Sequence, residues 1–446
     1  MSPRPETTNL ALFTDLYELT MLQAFVAEGM EQEAVFSLFV RRLPERRNFL
    51  VACGLASVLE ALESLRFEPE DIDYLRGLGQ FDDDFLDWLA AFRFTGEVRA
   101  VAEGTPVFAD EPILEVRAPL PQAQLVETLV MNQVHLQTVL ATKARRVVHA
   151  AAGRPVVDFG PRRMHGIDAA LKAARAFHIA GVAATSNVLA GKLYGVPVTG
   201  TMAHSYIQAH DDERTAFKRF AARYPGTILL IDTYDTIDAA ETVINLVRQQ
   251  DLDVRGVRLD SGDLGWLAEE VRARLNAAGL PRLEIFASGG LDEDAIAALV
   301  ERGAPIDGFG VGTSMGVSRD APDLDIAYKL AEYAGRGRLK LAAGKPILPG
   351  AKQVFRRFER GVAVEDVIAR AHEDLDGEPL LETVMRDGGR LDTAPDLDAA
   401  RAYCAAATAQ LPAAVRALER AEPAYPVQLS EALARYRDEV TQGLKR

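Results

Sequence analysis

Cysteine is nearly absent: Cys53 and Cys404 are the only two in 446 residues. That excludes a disulfide scaffold and a cysteine-rich zinc site, and it fits a reducing cytoplasm. No apolar run approaches the ~18 residues that a membrane helix needs. The first residues, Met1-Ser2-Pro3-Arg4-Pro5-Glu6, lack the basic-then-apolar order of a signal peptide. Positive charge is in deficit, 50 Lys and Arg against 65 Asp and Glu for a net charge of −15. A nucleic-acid binder normally shows a basic face, so none is expected as a partner. Internal repeats and low-complexity segments are missing, as are His-Glu-x-x-His and Cys-x-x-Cys, and no structural transition-metal site is expected. What remains is ordinary: 48% apolar and 26% charged residues, the composition of a soluble globular protein. An acidic enzyme that handles phosphates must then concentrate its arginines locally.

Three regions separate by pattern. Residues 1–150 are mixed, with helices expected near Asp15–Glu28, Gly54–Arg66 and Asp82–Phe92 and a strand at Val35–Val40. Short β-like runs follow from Val98 to Val116, and the three-and-four spacing of Leu125, Leu129, Val130, Val134 and Leu136 predicts one long helix over 122–151. Residues 151–337 alternate short β runs with helical stretches. The strands read 155–159, 182–185, 196–199, 227–231, 254–259, 283–286 and 306–309. That alternation implies a parallel sheet with crossover helices. Seven units in a row suit a barrel, because no dinucleotide fingerprint opens the first. Residues 338–446 lose the rhythm: a loop or hairpin at 340–349, strands near Val354–Phe358 and Val362–Ile368, and a helical tail from Leu397.

Barrel enzymes carry their chemistry at the C-terminal ends of the strands. Here those ends are Asp158-Phe-Gly-Pro-Arg-Arg163, Thr185-Ser-Asn187, Gly200-Thr-Met-Ala-His-Ser205, Asp232-Thr-Tyr-Asp235, Arg258-Leu-Asp-Ser-Gly-Asp263, Ser288-Gly-Gly290 and Gly310-Val-Gly-Thr-Ser314. An ordinary tight turn explains either glycine turn taken alone. Two in succession after the last strands fit a phosphate site, since glycine lets backbone N–H groups approach an anion. Arg162 and Arg163 offer guanidinium forks for phosphate or carboxylate. Arg258 and Asp260 alternate onto one face of a strand, inward in a barrel, where unpaired charge is costly. Asp232 and Asp235 fit a metal, sugar hydroxyls or a helix cap. Of the seven histidines, His204 stands out by following Gly-Thr-x-Ala at a strand end. His165 is a weaker candidate, His210 is undecided, and His135, His149, His178 and His372 read as structural. The residues alone thus describe an α/β barrel enzyme for a phosphorylated, sugar-containing substrate and leave its reaction unnamed.

Six motifs, in order, resemble those of nicotinate phosphoribosyltransferases: Thr14-Asp-Leu-Tyr-Glu-Leu-Thr-Met21, Asp158–Arg163, Thr185-Ser-Asn-Val-Leu-Ala-Gly191, Gly200–Ser205, Arg258–Asp263 and Phe309-Gly-Val-Gly-Thr-Ser314. The likeness is strong from about residue 10 to 320 and weak beyond. It implies a type II phosphoribosyltransferase fold, an irregular (β/α) barrel plus an α/β domain built from both chain ends, and a homodimer with shared active sites. It implies that nicotinate and 5-phosphoribosyl 1-pyrophosphate give nicotinate mononucleotide and pyrophosphate, in NAD salvage. ATP hydrolysis would be coupled through a phosphohistidine, with Mg²⁺ required and no zinc. By the same resemblance, Tyr17 from the partner copy and Phe159 would sandwich the nicotinate ring, and Thr201 and Arg258 would bind it. His204 would be the phosphorylated histidine. Asp260, with Asp232 as a further candidate, would hold Mg²⁺ or ribose hydroxyls. Arg162, Ser288, Gly289, Gly290, Gly312 and Thr313 would contact phosphates. Relatives specific for nicotinamide carry Asp where this chain has Ser186, which favours nicotinate, and Met164-His165 replaces a common Ala-Gln. Two alternatives stay open: a related transferase for nicotinamide or quinolinate, and an inactive homologue that binds phosphoribosyl ligands.

Overall fold

Strand Glu33–Val40 is an almost unbroken apolar run with seven of its eight residues buried, so both of its faces need cover. It supplies that demand from the middle of an antiparallel sheet ordered Arg336–Gly337, Ile326–Tyr333, Glu33–Val40, Pro112–Pro119, Glu97–Val101, Leu381–Arg386 and Gly389–Arg390. The structure is a computed structural model that describes residues 10–250, 252–341, 347–391 and 396–445. Two units are distinguished, Met1–Thr142 with Asp323–Arg446, and Lys143–Pro322.

The first unit holds that seven-stranded sheet, whose core face packs Phe36, Leu38, Val98, Val116 and Tyr328 with helix residues such as Leu22, Leu59 and Leu86. Tyr328 stacks on Phe36 with ring centroids 4.9 Å apart. A four-stranded sheet, ordered Glu378–Pro379, Lys352–Glu359, Val362–Arg370 and Val427–Leu429, completes the unit. Both chain ends therefore build it, as the resemblance implies. Its limits differ from the pattern-based division at 150 and 337. Strand Ile326–Tyr333 pairs antiparallel with Glu33–Val40 and so belongs to the first unit's sheet. The tail is not helical throughout: Val427–Leu429 adds a parallel strand beside Val362–Arg370 before the last helix, Glu431–Leu444. The expected helix over 122–151 is two, Leu120–Leu125 and Glu127–Ala150, with Val126 at φ −87°, ψ 2° between them. Of the expected loop at 340–349, residues 342–346 lie outside the described residues. Among the described residues no helix is long and apolar enough to cross a membrane.

The second unit is the βα array. Six parallel strands lie in the order Ala184–Thr185, Val156–Asp158, Gly308–Val311, Glu284–Ala287, Val254–Leu259 and Thr227–Leu230. The seventh expected strand, 196–199, shrinks to a single bridge between Thr185 and Val198. Pro197 has no N–H to extend the ladder, and only its carbonyl is used, by Thr185 N at 3.0 Å. Among the described residues no ladder joins Val198 to Thr227–Leu230, so the barrel is irregular. The crossover helices start on Asn187, Asp212, Asp263 and Asp292, each of whose side chains accepts a hydrogen bond from the third residue beyond.

Candidate active site

A cavity of about 500 Å³ opens at the C-terminal ends of these strands, and every residue lining it comes from the second unit. Phe159, Arg162, Thr201, His204, Arg258, Asp260, Ser288, Gly289, Gly290, Gly312 and Thr313 all line it, as does Ser186. Residues drawn from six separate turns, spread from position 159 to 319, thus meet in one place.

Arg258 organises the floor. Its Nη2 donates to the Met202 carbonyl at 2.7 Å, and its Nη1 reaches Ser288 Oγ at 3.3 Å and Asp260 Oδ1 at 3.4 Å. Its guanidinium carbon stands 5.6 Å from the centroid of the Phe159 ring. Burial pulls the Arg258 pKa down, while Asp260 and Asp232 act the other way. A guanidinium stays charged through such a shift. Its Nε is buried without a hydrogen-bond partner. A largely buried guanidinium on the cavity wall, beside an aromatic face, is matched to a planar anion such as an aromatic carboxylate. The Phe159 ring can lie close because residue 310 is glycine: a Cβ there would sit 2.5 Å from Phe159 Cε2.

Asp260 is held from three sides. Ser288 Oγ donates to its Oδ1 at 2.5 Å, and its own N–H donates to Asp232 Oδ2 at 3.1 Å. His204 Nε2 lies 3.9 Å from Asp260 Oδ2. His204 Nδ1 is 3.1 Å from Thr233 Oγ1, which fixes the ring and turns Nε2 toward the cavity side of Asp260. Its side chain remains 41% exposed, enough for a bulky phosphate donor to reach Nε2.

Asp232 does not line the cavity. Its Oδ2 also accepts from Ser261 Oγ at 2.6 Å, while its Oδ1 is buried with no partner. Asp235 proves to be a helix cap, its Oδ1 accepting from the N–H groups of Ile237 and Asp238, both at 2.9 Å. Among the described residues no group of three or more His, Cys, Asp or Glu is arranged to hold a metal ion. Asp260, on the cavity wall, suits Mg²⁺, which binds through one or two carboxylates and takes its other ligands from water and substrate phosphates, whereas the Oδ1 of Asp232, the further candidate, is buried outside that wall.

On the opposite rim, Arg162 and Arg163 sit in the 3-10 turn Pro161–Arg163, and Arg163 Nη1 donates to Thr313 Oγ1 at 3.3 Å. Met164 packs beneath them, with its Cε where a Cβ on Gly160 or Gly316 would clash, at 2.8 and 2.9 Å. It supports the turn from behind and does not line the cavity.

Four participants escaped the sequence reading. Thr233 orients His204, and Met202 offers the carbonyl that Arg258 needs. Arg319 lines the cavity from beyond the last turn, a position that no strand-end pattern marks. Asp158 is wholly buried and ties two turns together, accepting from Gly160 N at 2.8 Å and Thr185 Oγ1 at 2.7 Å. Burial pushes its carboxyl up to about 6 against those hydrogen bonds. An Asp closing an apolar strand was its signal.

Tyr17 belongs to the first unit, 49% exposed on helix Leu16–Ala27. Two of the other histidines find work elsewhere: His135 Nε2 accepts from Leu324 N at 3.0 Å, and His210 Nδ1 contacts the Tyr206 carbonyl at 2.8 Å.

Comparison with known proteins adds the following. The chain matches the family models described as the nicotinate phosphoribosyltransferase N-terminal domain over residues 12–135, the nicotinate phosphoribosyltransferase family over 155–376 and its C-terminal domain over 371–437. It is 55% identical over 424 residues to nicotinate phosphoribosyltransferase pncB2 of Mycobacterium tuberculosis, covering 94% of this chain and 92% of that one. A nicotinate phosphoribosyltransferase of Bacillus subtilis is 40% identical, over 78% of this chain and 73% of its own. The crystal structure of human nicotinic acid phosphoribosyltransferase superposes with a TM-score of 0.85 at 28% identity, covering 96% of this chain and 99% of that chain.

Proposed function

This chain belongs to the nicotinate phosphoribosyltransferase family, and from that membership we infer that its barrel cavity joins nicotinate to the phosphoribosyl group of 5-phosphoribosyl 1-pyrophosphate, in NAD salvage. The products are nicotinate mononucleotide and pyrophosphate. The observation that carries this reading is the placement of Arg258, a largely buried cation on the cavity wall, beside the Phe159 ring and next to the glycine turn at 288–290.

In this reading the guanidinium of Arg258 pairs with the nicotinate carboxylate while Phe159 supports one face of the ring. The ring nitrogen attacks C1 of the ribose as the bond to pyrophosphate breaks, through an oxocarbenium-like centre. The chain positions the reactants and stabilises charge leaving with pyrophosphate, using Arg162 and the backbone N–H groups around Gly289, Gly290, Gly312 and Thr313. Asp260 meets ribose hydroxyls. Mg²⁺, held by Asp260 together with the phosphates, would add charge neutralisation. Ser186 on the cavity wall carries no charge to repel a carboxylate, which supports nicotinate over nicotinamide.

His204 is assigned to ATP coupling. In the tautomer whose Nδ1–H donates to Thr233 Oγ1, Nε2 carries the lone pair that attacks the γ-phosphorus of ATP, forming the N–P bond as the bond to ADP breaks. The second copy in the proposed homodimer supplies Tyr17. The support is the exposed apolar surface on helix Leu16–Ala27, with Leu16 and Tyr17 each 49% exposed, together with Ile167 and Val188 in the second unit, each 72% exposed.

The direct test is product formation from labelled nicotinate and, separately, nicotinamide, each with and without ATP. Nicotinate turnover that ATP stimulates is expected, and turnover of nicotinamide alone would remove Ser186 as the selector. His204→Ala is expected to abolish the ATP stimulation while retaining some transfer. Equal loss of both by a folded variant would contradict the phosphohistidine. Arg258→Lys is expected to raise the KM for nicotinate about 10-fold or more, because a point charge cannot replace the fork. An unchanged KM would take Arg258 out of that role.

A further inference from the structure

The first unit contains a second polar cavity, of about 580 Å³, that shares no residue with the barrel site. Its floor is the face of the seven-stranded sheet. Glu97 pairs directly with Arg117 across two strands, and Arg99 pairs with Thr383 across the next, so the four side chains stand together on that face. The walls bring Arg370 and His372 from the end of strand Val362–Arg370, and Tyr436 from the last helix.

Three arginines converge here in a chain whose net charge is −15. The Arg370 guanidinium carbon lies over Tyr436, 4.1 Å from the ring centroid, and among the described residues no carboxylate stands within ion-pair distance of it. Tyr436 is itself pinned, its hydroxyl accepting from Gly337 N at 2.8 Å. Gly337 and Gly350 leave room for it: Cβ atoms there would come within 2.6 and 3.1 Å of the tyrosine. Arg99 is fixed by donating to the carbonyls of Lys352 at 3.0 Å and Leu381 at 3.4 Å. Arg117 has loose carboxylate neighbours among the described residues, Glu33 at 3.7 Å and its cross-strand partner Glu97, which itself lies 3.7 Å from Arg386. Held, planar and under-neutralised cations form an anion cradle. Two carboxylates, Glu97 and Glu332, share the cavity. They would oppose a bare anion but accept hydrogen bonds from sugar hydroxyls.

We propose that this cavity binds a phosphorylated sugar or nucleotide, with its phosphate on Arg370 and Arg117 and its hydroxyls on Glu97 and Glu332. The site draws on strands from both ends of the chain, so its occupancy would also staple the first unit.

The test is equilibrium dialysis of labelled ADP against the full chain and the Arg117→Gln/Arg370→Gln double variant. The variant is expected to bind about one equivalent of ADP fewer per chain, with its circular dichroism and basal turnover unchanged. Equal stoichiometry in two folded proteins overturns the site. Should the double variant fail to fold, Arg370→Gln alone is expected to weaken that class of binding at least 10-fold, and unchanged binding overturns the site equally. Pyrophosphate matching ADP in affinity at the second class would overturn the hydroxyl half of the assignment. The readout is binding, so it stands whatever the transfer assay gives.

Discussion

Gly289→Ala is expected to lower kcat/KM by about 100-fold or more in a protein that still folds. Gly289 adopts φ +94°, and a Cβ built there would lie 1.7 Å from the Asp260 carbonyl oxygen and 2.6 Å from its carbon. Those atoms are backbone, so relief requires the end of strand Val254–Leu259 or the 288–290 turn to move. Either shift separates Asp260 from Ser288, now 2.5 Å apart, and with them the position of Arg258. A displacement of about 1 Å at such a site is worth about two orders of magnitude in rate. Gly303→Ala is the control. It has φ +75° but nothing within 4 Å of its Cβ, and it lies away from the cavity. There only the left-handed backbone is penalised, by about 1–2 kcal/mol of stability, with turnover unchanged. Urea unfolding and steady-state kinetics on both variants decide the matter. Wild-type turnover by Gly289→Ala would mean that the close approach of the two turns does not position the site.

The same contact shows why so much of the site could be read from sequence. In a parallel sheet the strands are buried on both sides and read as short apolar runs, so Arg258 and Asp260 stand out at their ends. The glycines at 289, 310 and 312 announce a close approach to the backbone, while the identity of the approaching group depends on the fold. Three other features were not legible. Strand Ile326–Tyr333 follows the last βα unit without a break in composition, and only its pairing with Glu33–Val40, almost 300 residues earlier, assigns it to the other unit. Strand Leu381–Arg386 is half exposed and carries no sustained alternation. Segment 196–199 looked like a strand by its valines, but one proline left a single bridge. Long-range pairing and local donor loss are decided by tertiary context, which a periodicity argument does not see.

Glu18 lies in the first of the six motifs without a role of its own there, a lone acidic residue in a largely apolar helix, yet it yields the strongest pH-dependent expectation. It is fully buried, and its carboxylate accepts from the hydroxyls of Thr14 and of Thr128, the latter at 2.9 Å. Its charged neighbours are acidic. Asp15 contacts Thr128 Oγ1 at 2.8 Å, and Glu127 is occupied by Lys329 at 2.9 Å and Gln124 at 2.9 Å. Burial, with a smaller contribution from Glu127 and Asp15, pushes the Glu18 carboxyl up from 4.5 to about 7. A carboxyl whose pKa is raised on folding contributes its full stability below its unfolded value and loses it as the pH rises through the folded one. Glu18 therefore destabilises the native state increasingly from pH 4.5 to about 7, by roughly 3 kcal/mol once ionised. Glutamine has no proton to lose, and its amide can meet the same two hydroxyls. Glu18→Gln is thus expected to be more stable than the parent by about 3 kcal/mol at pH 8, with the two converging as the pH falls toward 4.5. Urea unfolding of both proteins at successive pH values measures the difference directly. A difference that does not grow with pH would mean that Glu18 is accommodated as a carboxylate, and a Glu18→Gln variant less stable than the parent at pH 8 would show the charge itself to be structural.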